Sequence, residues 1–385
     1  MSTLKTTNLQ HASAASPAIV LAADGSATAQ LSSLNGGALS GARNRIINGD
    51  MRIDQRNAGA SVTPTSSVYG LDRWYNVISQ SSKYSLQRST VAPAGFTNSM
   101  LATSLSAYSV GTSDFFALVQ YVEGFNASDL GWGAAGAQTV TLSFRVRSSL
   151  TGTFVVAIRS GSDDAAYPAT YTINSANTWE TKTITIPGPT SGTFATDNNR
   201  CFGVWFSLGI GSSFNATANT WGSGSALSVS GATSVVGTNG ATFYITGVQL
   251  EAGSVATPFE RRSYGQELAL CQRYYTVIGS PDGVNGFAVI ADGRTATSTT
   301  ASFRFKLPVT PRTTPSASIL SATYACNEGT TNRYAGGALN IFSSSADGCE
   351  GDLTVTGAGT GVYVQFRGNA SGPSNKPAVA FNMEL

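Results

Sequence analysis

The sequence predicts a mainly β protein: an antiparallel sandwich or jelly roll, one short linking helix, and then a smaller C-terminal β domain. Three observations carry that expectation. Apolar and polar residues alternate with a period of two through most of the chain, as where Val140, Leu142, Phe144 and Val146 are interleaved with Thr141, Ser143 and Arg145. The 42 glycines, with Asn and Ser between the alternating runs, suit tight turns. Only the stretch from Ser263 to Tyr275 has convincing helical spacing.

Taken in order, residues 1–42 read as an arm of small residues. Ile19, Val20 and Leu21 suit one strand, with Asp24-Gly25 as a hairpin turn to the next. Such an arm cannot close a core alone and needs a docking site or a partner chain. Residues 43–262 read as the sandwich. Strands are expected over Thr139–Arg147, Phe154–Ile158, Thr181–Ile186 and Phe202–Ile210, with a last strand beginning at Phe243. Thr151-Gly152 suggests that the first two of these form a hairpin. Trp74 and Trp205 read as core residues. Residues 263–276 read as the linking helix, opened by a Ser263 to Gln266 capping box. Leu268, Cys271 and Tyr275 would share one face, and Glu267 and Arg273 would suit the two ends of the helix dipole. Residues 277–385 return to strand patterning, with Phe303, Phe305 and Leu307 on one face and Val362, Val364 and Phe366 on another. Val379, Phe381, Met383 and Leu385 run to the last residue, and an apolar end of this kind must be buried.

Composition narrows the function. The chain has 385 residues, a length suited to about two or three domains. Charged residues are 11% of it, against about 25% in ordinary domains. The net charge of +2 and the lack of a basic stripe argue against a nucleic-acid partner. No apolar run reaches the roughly 18 residues of a membrane span, and the polar start lacks a signal-peptide core, so neither membrane insertion nor Sec-type export is expected. The 4 cysteines, Cys201, Cys271, Cys326 and Cys349, lack C-x-x-C spacing and the only histidine is His11, so no zinc site and no cofactor is expected, while the sequence leaves open whether Ca²⁺ sits in the jelly roll. Cys326 and Cys349 could pair only from neighbouring strands; buried free thiols fit better.

No motif for catalysis stands out. Gly131-Trp-Gly-Ala-Ala-Gly136 matches a dinucleotide fingerprint but runs into a strand, where no helix N-terminus would meet a pyrophosphate. Asp163, Asp164 and Asp282 qualify for paired-carboxylate chemistry by residue type only, and turn positions explain them better. Trp132 and Trp221 lie in Gly- and Asn-flanked loops, where an indole either stacks on a sugar face or caps the end of a sandwich.

Three segments, NRIINGDMRIDQRNAG, YGLDRWY and ITGVQLEAGSVATPFERRSYGQELALCQRYY, resemble a family of bacteriophage tail-fibre proteins. They span Asn44 to Tyr275. The resemblance implies a carbohydrate-binding-module-like jelly roll, an arm that anchors to phage tail or baseplate proteins, a variable distal tip, and a homotrimer. It also implies a virion location and a non-catalytic role: adhesion to the host surface through a bacterial surface polysaccharide or an outer-membrane receptor. The charged residues Asp50, Arg52, Asp54, Arg56, Asp72 and Arg73 would join Glu251, Glu260, Arg261 and Arg262 to tie the first strands to the last. Residue type and loop placement nominate Asn285, Asn327, Asn332, Arg333, Tyr334 and Tyr363 as receptor contacts, with Trp132 and Trp221 behind them. Two other roles stay open: a polysaccharide depolymerase tailspike, and a purely structural head-fibre or baseplate adaptor.

Overall fold

The fold is given by a computed structural model, which describes residues 8–9, 19–21, 27–29, 43–279, 289–320, 324–328, 331–345, 347–368 and 378–385. In the arm, β1 (Asn8–Leu9), β2 (Ile19–Leu21) and β3 (Ala27–Ala29) form a small antiparallel ribbon in that order. Leu21 pairs with Ala27, as a hairpin demands, while Asp24 and Gly25 lie outside the described residues.

Two antiparallel sheets face one another next. Their strands are β4 (Val68–Leu71), β5 (Trp74–Ile78), β6 (Tyr84–Ser89), β7 (Ser99–Ser104), β8 (Phe115–Glu123), β9 (Val140–Ser148), β10 (Gly152–Ser160), β11 (Ala165–Ile173), β12 (Glu180–Ile186), β13 (Arg200–Ile210), β14 (Gly222–Ser223) and β15 (Thr242–Ala252). The seven-stranded sheet runs β14-β11-β10-β13-β8-β5-β4 and the five-stranded sheet β12-β9-β15-β7-β6. Phe116, Phe144, Phe154, Phe206 and Phe243 fill the space between them, all at most 1% exposed. Phe144 and Phe206 meet edge to face across the sheets, with centroids 5.1 Å apart.

One expectation fails here. Strands β9 and β10 are not a hairpin, since β9 pairs with β12 and β15 and β10 with β11 and β13. The Thr151-Gly152 connection carries the chain from one sheet to the other. Gly152 sits at φ +124°, and a Cβ there would lie 2.7 Å from the Thr233 hydroxyl, so the crossing needs a glycine. The second surprise is that the seven-stranded sheet is buried on both faces. Its outer residues Ala117, Val119, Tyr121 and Trp205 are covered by Phe214, Ala226 and Leu227 from the long β13–β15 connection. The near-continuous apolar run of β8 has the composition of a strand without a wet side.

Helix α1 (Tyr264–Gln272) is capped as its sequence requires: Ser263 Oγ accepts from Gln266 N, and the Gln266 side chain accepts from Ser263 N. It is shorter than expected. Arg273 is its C-cap, and Tyr275 already belongs to the next strand, so the buried face is Cys271 and Tyr274, with Leu268 and Leu270 half-buried. The remaining strands are β16 (Tyr275–Gly279), β17 (Val289–Thr297), β18 (Thr300–Lys306), β19 (Ser316–Ile319), β20 (Tyr324–Glu328), β21 (Thr331–Ser344), β22 (Gly348–Val355), β23 (Tyr363–Gly368) and β24 (Ala378–Asn382). Six of them close a barrel, β17-β18-β22-β21-β20-β23, and β16-β24-β19 form a three-stranded sheet beside it. Phe303, Phe305, Phe366 and Phe381 fill this second core. Cys326 and Cys349 are buried free thiols on β20 and β22, which β21 separates.

The charged joint differs from the expected strand-to-strand tie. Glu260 accepts the backbone amides of Arg43 (3.3 Å) and Asn44 (2.7 Å). Arg262 pairs with Glu260 and Glu267 and donates to the carbonyls of Asn44 and Ile46. Charge therefore holds backbone. Glu251 takes no part, being occupied by Thr257 and Gln249. Arg56 and Arg73 turn away from that joint towards Glu384, near the chain end. Arg73 stacks on Tyr274 and Arg56 on Tyr275, each guanidinium 3.6 Å from the ring centroid. Arg312 donates to the carbonyls of Asn198, Met383 and Glu384. The barrel thus seats on the sandwich through its last residues.

Candidate functional site

The outer surface of the barrel is built by alternation. On β23, Val364 and Phe366 point inward and are fully buried, which leaves Tyr363 and Gln365 outside. On β17 the outward residues next to them are Asp292 and Arg294, both exposed. Register sets these side by side: Asp292 opposes Gln365, and Arg294 opposes Tyr363. Tyr363 is 58% exposed. Its hydroxyl donates to the Asp292 carboxylate, and the Gln365 amide donates to the Tyr363 hydroxyl (3.2 Å) and to Asp292 (3.4 Å). The hydrogen bond to Asp292 raises the phenol above its usual value, so it remains a proton donor. On the other side of β17, Arg304 opposes Asp292 and pairs with Glu350 across exposed surface. The result is an open belt with one accessible aromatic ring, a carboxylate, an amide and guanidinium groups.

The expected receptor contacts distribute as follows. Tyr363 is the centre of this belt. Asn327, on β20, opposes Gln365 in register but is only 6% exposed, so its packing withdraws it from a ligand. Asn332, Arg333 and Tyr334 lie on β21 opposite Asn327, Cys326 and Ala325, which puts the nominated positions on three neighbouring strands, β21-β20-β23. Their side chains, like all of Asn285, lie outside the described residues. Asp292, Arg294 and Gln365 were missed. Alternation along β23 puts Gln365 on the face opposite Val364 and Phe366, but the pairing of β23 with β17 joins segments about 70 residues apart and has no local signal.

Trp132 is a correction. It is 8% exposed, its indole N–H donates to the Gln138 carbonyl at 2.8 Å, and Phe194, Phe202 and Trp221 pack round its ring. It caps the sandwich and leaves no ring face for a sugar. Trp221 is half-buried, donates to the Pro187 carbonyl (2.7 Å) and lines a groove of about 540 Å³ with Asp164, Ser191 and Gly192. Asp164 accepts from Ser160 Oγ and Thr193 N, and these hydrogen bonds, that of Ser160 first, hold its carboxyl down to about 2. Asp163 pairs with Arg159, and Asp282 lies outside the described residues. Gly131 ends a 3₁₀ turn in the left-handed region, and the loop runs on into β9. Among the described residues no cluster of His, Cys, Asp and Glu could hold a metal ion, and no helix is long and apolar enough to cross a membrane.

No family model matches the chain, and no curated protein matches it. Solved structures resemble it distantly. The enzymatically active domain of tailspike protein 4 of bacteriophage CBA120 is 10% identical, over 55% of this chain and 21% of that one, with a TM-score of 0.27. This chain therefore spans about a fifth of that structure's length. A protein of Bacteroides thetaiotaomicron described as a putative sugar binding protein is 14% identical over 54% of this chain and 99% of its own, with a TM-score of 0.31. The tandem CBM22-1–CBM22-2 domain of Paenibacillus barcinonensis Xyn10C is 10% identical over 85% and 97%, with a TM-score of 0.24. At such scores the fold class rests on the strand pairing itself: two stacked antiparallel sheets, one short helix and a second all-β unit.

Proposed function

We propose that this chain is a non-catalytic adhesin that binds a glycan of the bacterial envelope, as the fibre of a phage tail. The observation that carries the glycan part is the belt on the barrel. Tyr363 offers an open ring face, on which the C–H side of a pyranose can stack, and Asp292 and Gln365 offer an acceptor and an amide beside it for the sugar hydroxyls. A rigid sheet holds all three, so little order is lost on binding. The arm, the homotrimeric state and the virion location rest on the resemblance of the three segments named above. In that setting the contacts of one barrel are weak, and several copies per particle raise the avidity.

The test uses purified protein and host envelope polysaccharide. Tyr363→Ala and Asp292→Asn should each weaken binding by about tenfold or more, the effect of roughly 1.4 kcal/mol, with the thermal midpoint unchanged. Full binding by both variants would end this reading of the belt. New reducing ends on incubation would instead identify a depolymerase. The mass in solution should be that of a trimer; a monomer would remove the fibre.

A further inference from the structure

The outer face of the five-stranded sheet carries a continuous track of rings and cations that the reading above leaves unused. At one end, Tyr244 on β15 opposes Arg147 on β9. The Arg147 guanidinium lies 5.0 Å from the Tyr244 ring centroid, and Trp179 meets that ring edge-on at 6.1 Å. Both rings are half-exposed. Arg145 follows two residues along β9, exposed, with no carboxylate partner among the described residues. Next comes Gly247, at φ +60°, where a Cβ would lie 2.7 Å from the Phe96 ring and 3.4 Å from the Arg145 stem. Phe96 and Arg145 thus close over the same glycine. Beyond them Arg261 lies 4.7 Å from the Phe96 ring centroid and 5.7 Å from that of Phe259. Tyr244 and Gly247 are roughly 10 Å apart along the strand, so the track is extended.

The exposed charge on this face is of one sign; Glu251, opposite Thr141 on the same face, is buried and held by Thr257 and Gln249. The outward positions around the arginines are Ser143, Thr181 and Thr183, with Leu101 and Gln87 beyond Tyr244. The acids near its margins are occupied elsewhere, Glu180 by Lys182 and the amides of Asn174 and Ser175, Glu260 by Arg262 and Asn44. Arg147 donates to the Asn177 carbonyl at 2.8 Å, which fixes the side chain without neutralising it.

We propose that this face binds an acidic polysaccharide, a uronate-containing chain whose carboxylates pair with Arg145, Arg147 and Arg261 and whose rings stack on Tyr244, Trp179 and Phe96. Guanidinium forks match carboxylates in two-point geometry, and the aromatic rings favour a sugar chain over a simple anion. The inference depends on the glycan-binding reading for its ligand class and goes beyond it in adding a second surface and the sign of the charge.

The probe is polygalacturonate, with dextran as the neutral control, titrated against the full chain by calorimetry. Wild type should bind polygalacturonate and not dextran, with affinity falling as salt rises from 0.05 to 0.5 M, where screening shortens the reach of each charge. Arg145→Ala with Arg147→Lys should cost tenfold or more, and Arg145→Glu alone at least as much; the second variant sits at an exposed position and serves if the first is unstable. Tyr363→Ala should leave polygalacturonate binding intact, so that failure of the barrel belt and failure of this face are read separately. Equal binding of dextran, unchanged binding by both arginine variants, or equally tight capture of a single-stranded oligonucleotide would overturn the proposal.

Discussion

The sandwich and the barrel solve the same problem, an antiparallel sheet with one apolar face, in opposite ways. The sandwich stacks two sheets and then covers the outside of the larger one, where Trp205 and Tyr121 are buried under Phe214 and Leu227. Only its five-stranded sheet keeps a wet face. The barrel closes one sheet on itself round Phe303, Phe305 and Phe366, which leaves described outward side chains such as Asp292, Arg304 and Tyr363 open to solvent. Closure removes strand edges without a second layer. The lesson concerns where recognition can sit: on the wet side of the five-stranded sheet in the sandwich, and on the open strands β17, β18 and β23 in the barrel.

The comparison breaks most readily at the contact between the two units. Glu384 is the counter-ion of Arg73, which is 1% exposed, and also pairs with Arg56. Glu384→Ala leaves that guanidinium buried and unpaired, at a cost of about 3–5 kcal/mol. Calorimetry should then show the barrel melting apart from the sandwich, where wild type melts more nearly as one. A single unsplit transition would mean that the seat is held by apolar contacts instead.

Phe305→Ala should cost a similar amount, about 3–5 kcal/mol, because it opens a cavity in a small core. Its effect should be confined to the barrel, and Phe206→Ala should act on the sandwich alone. Hydrogen exchange resolved by strand distinguishes the two.

A pH effect of the order of 2–3 kcal/mol is expected from Asp72, which is fully buried beside the seat. Burial, opposed by Arg56 and by hydrogen bonds from Gln55, raises its carboxyl from 3.8 to about 6. A carboxyl raised on folding supports the fold below about pH 4 and loses that support as pH rises through 6. Asp72→Asn should therefore match wild type near pH 4 and exceed it in thermal midpoint at pH 7. A difference that does not change with pH would remove the titration of Asp72 as its cause. The smallest effect belongs to Ser263→Ala, about 1 kcal/mol from loss of the helix cap, measurable as a shift in the denaturant midpoint.

The candidate belt was half legible. Residue type and loop placement nominate Tyr363, and it is exposed, though it lies on a strand. Asn327 was nominated on the same grounds and is buried, because side-chain type does not report what packs over a residue. Trp132 failed likewise: glycines on both sides suggested a loop, yet the loop folds onto the end of the sandwich.

What the sequence determined alone is what depends on near neighbours. Alternation set the strands, Ser263 and Gln266 set the helix start, and the apolar tail announced a buried end, since each follows from residues a few positions apart. Tertiary structure decided the rest: the crossing of the chain between sheets at Gly152, the closure of the barrel, and the pairing of Arg73 with a residue 311 positions away. Those features come from contacts between distant segments, where burial and charge pairing over the whole chain outweigh any local preference.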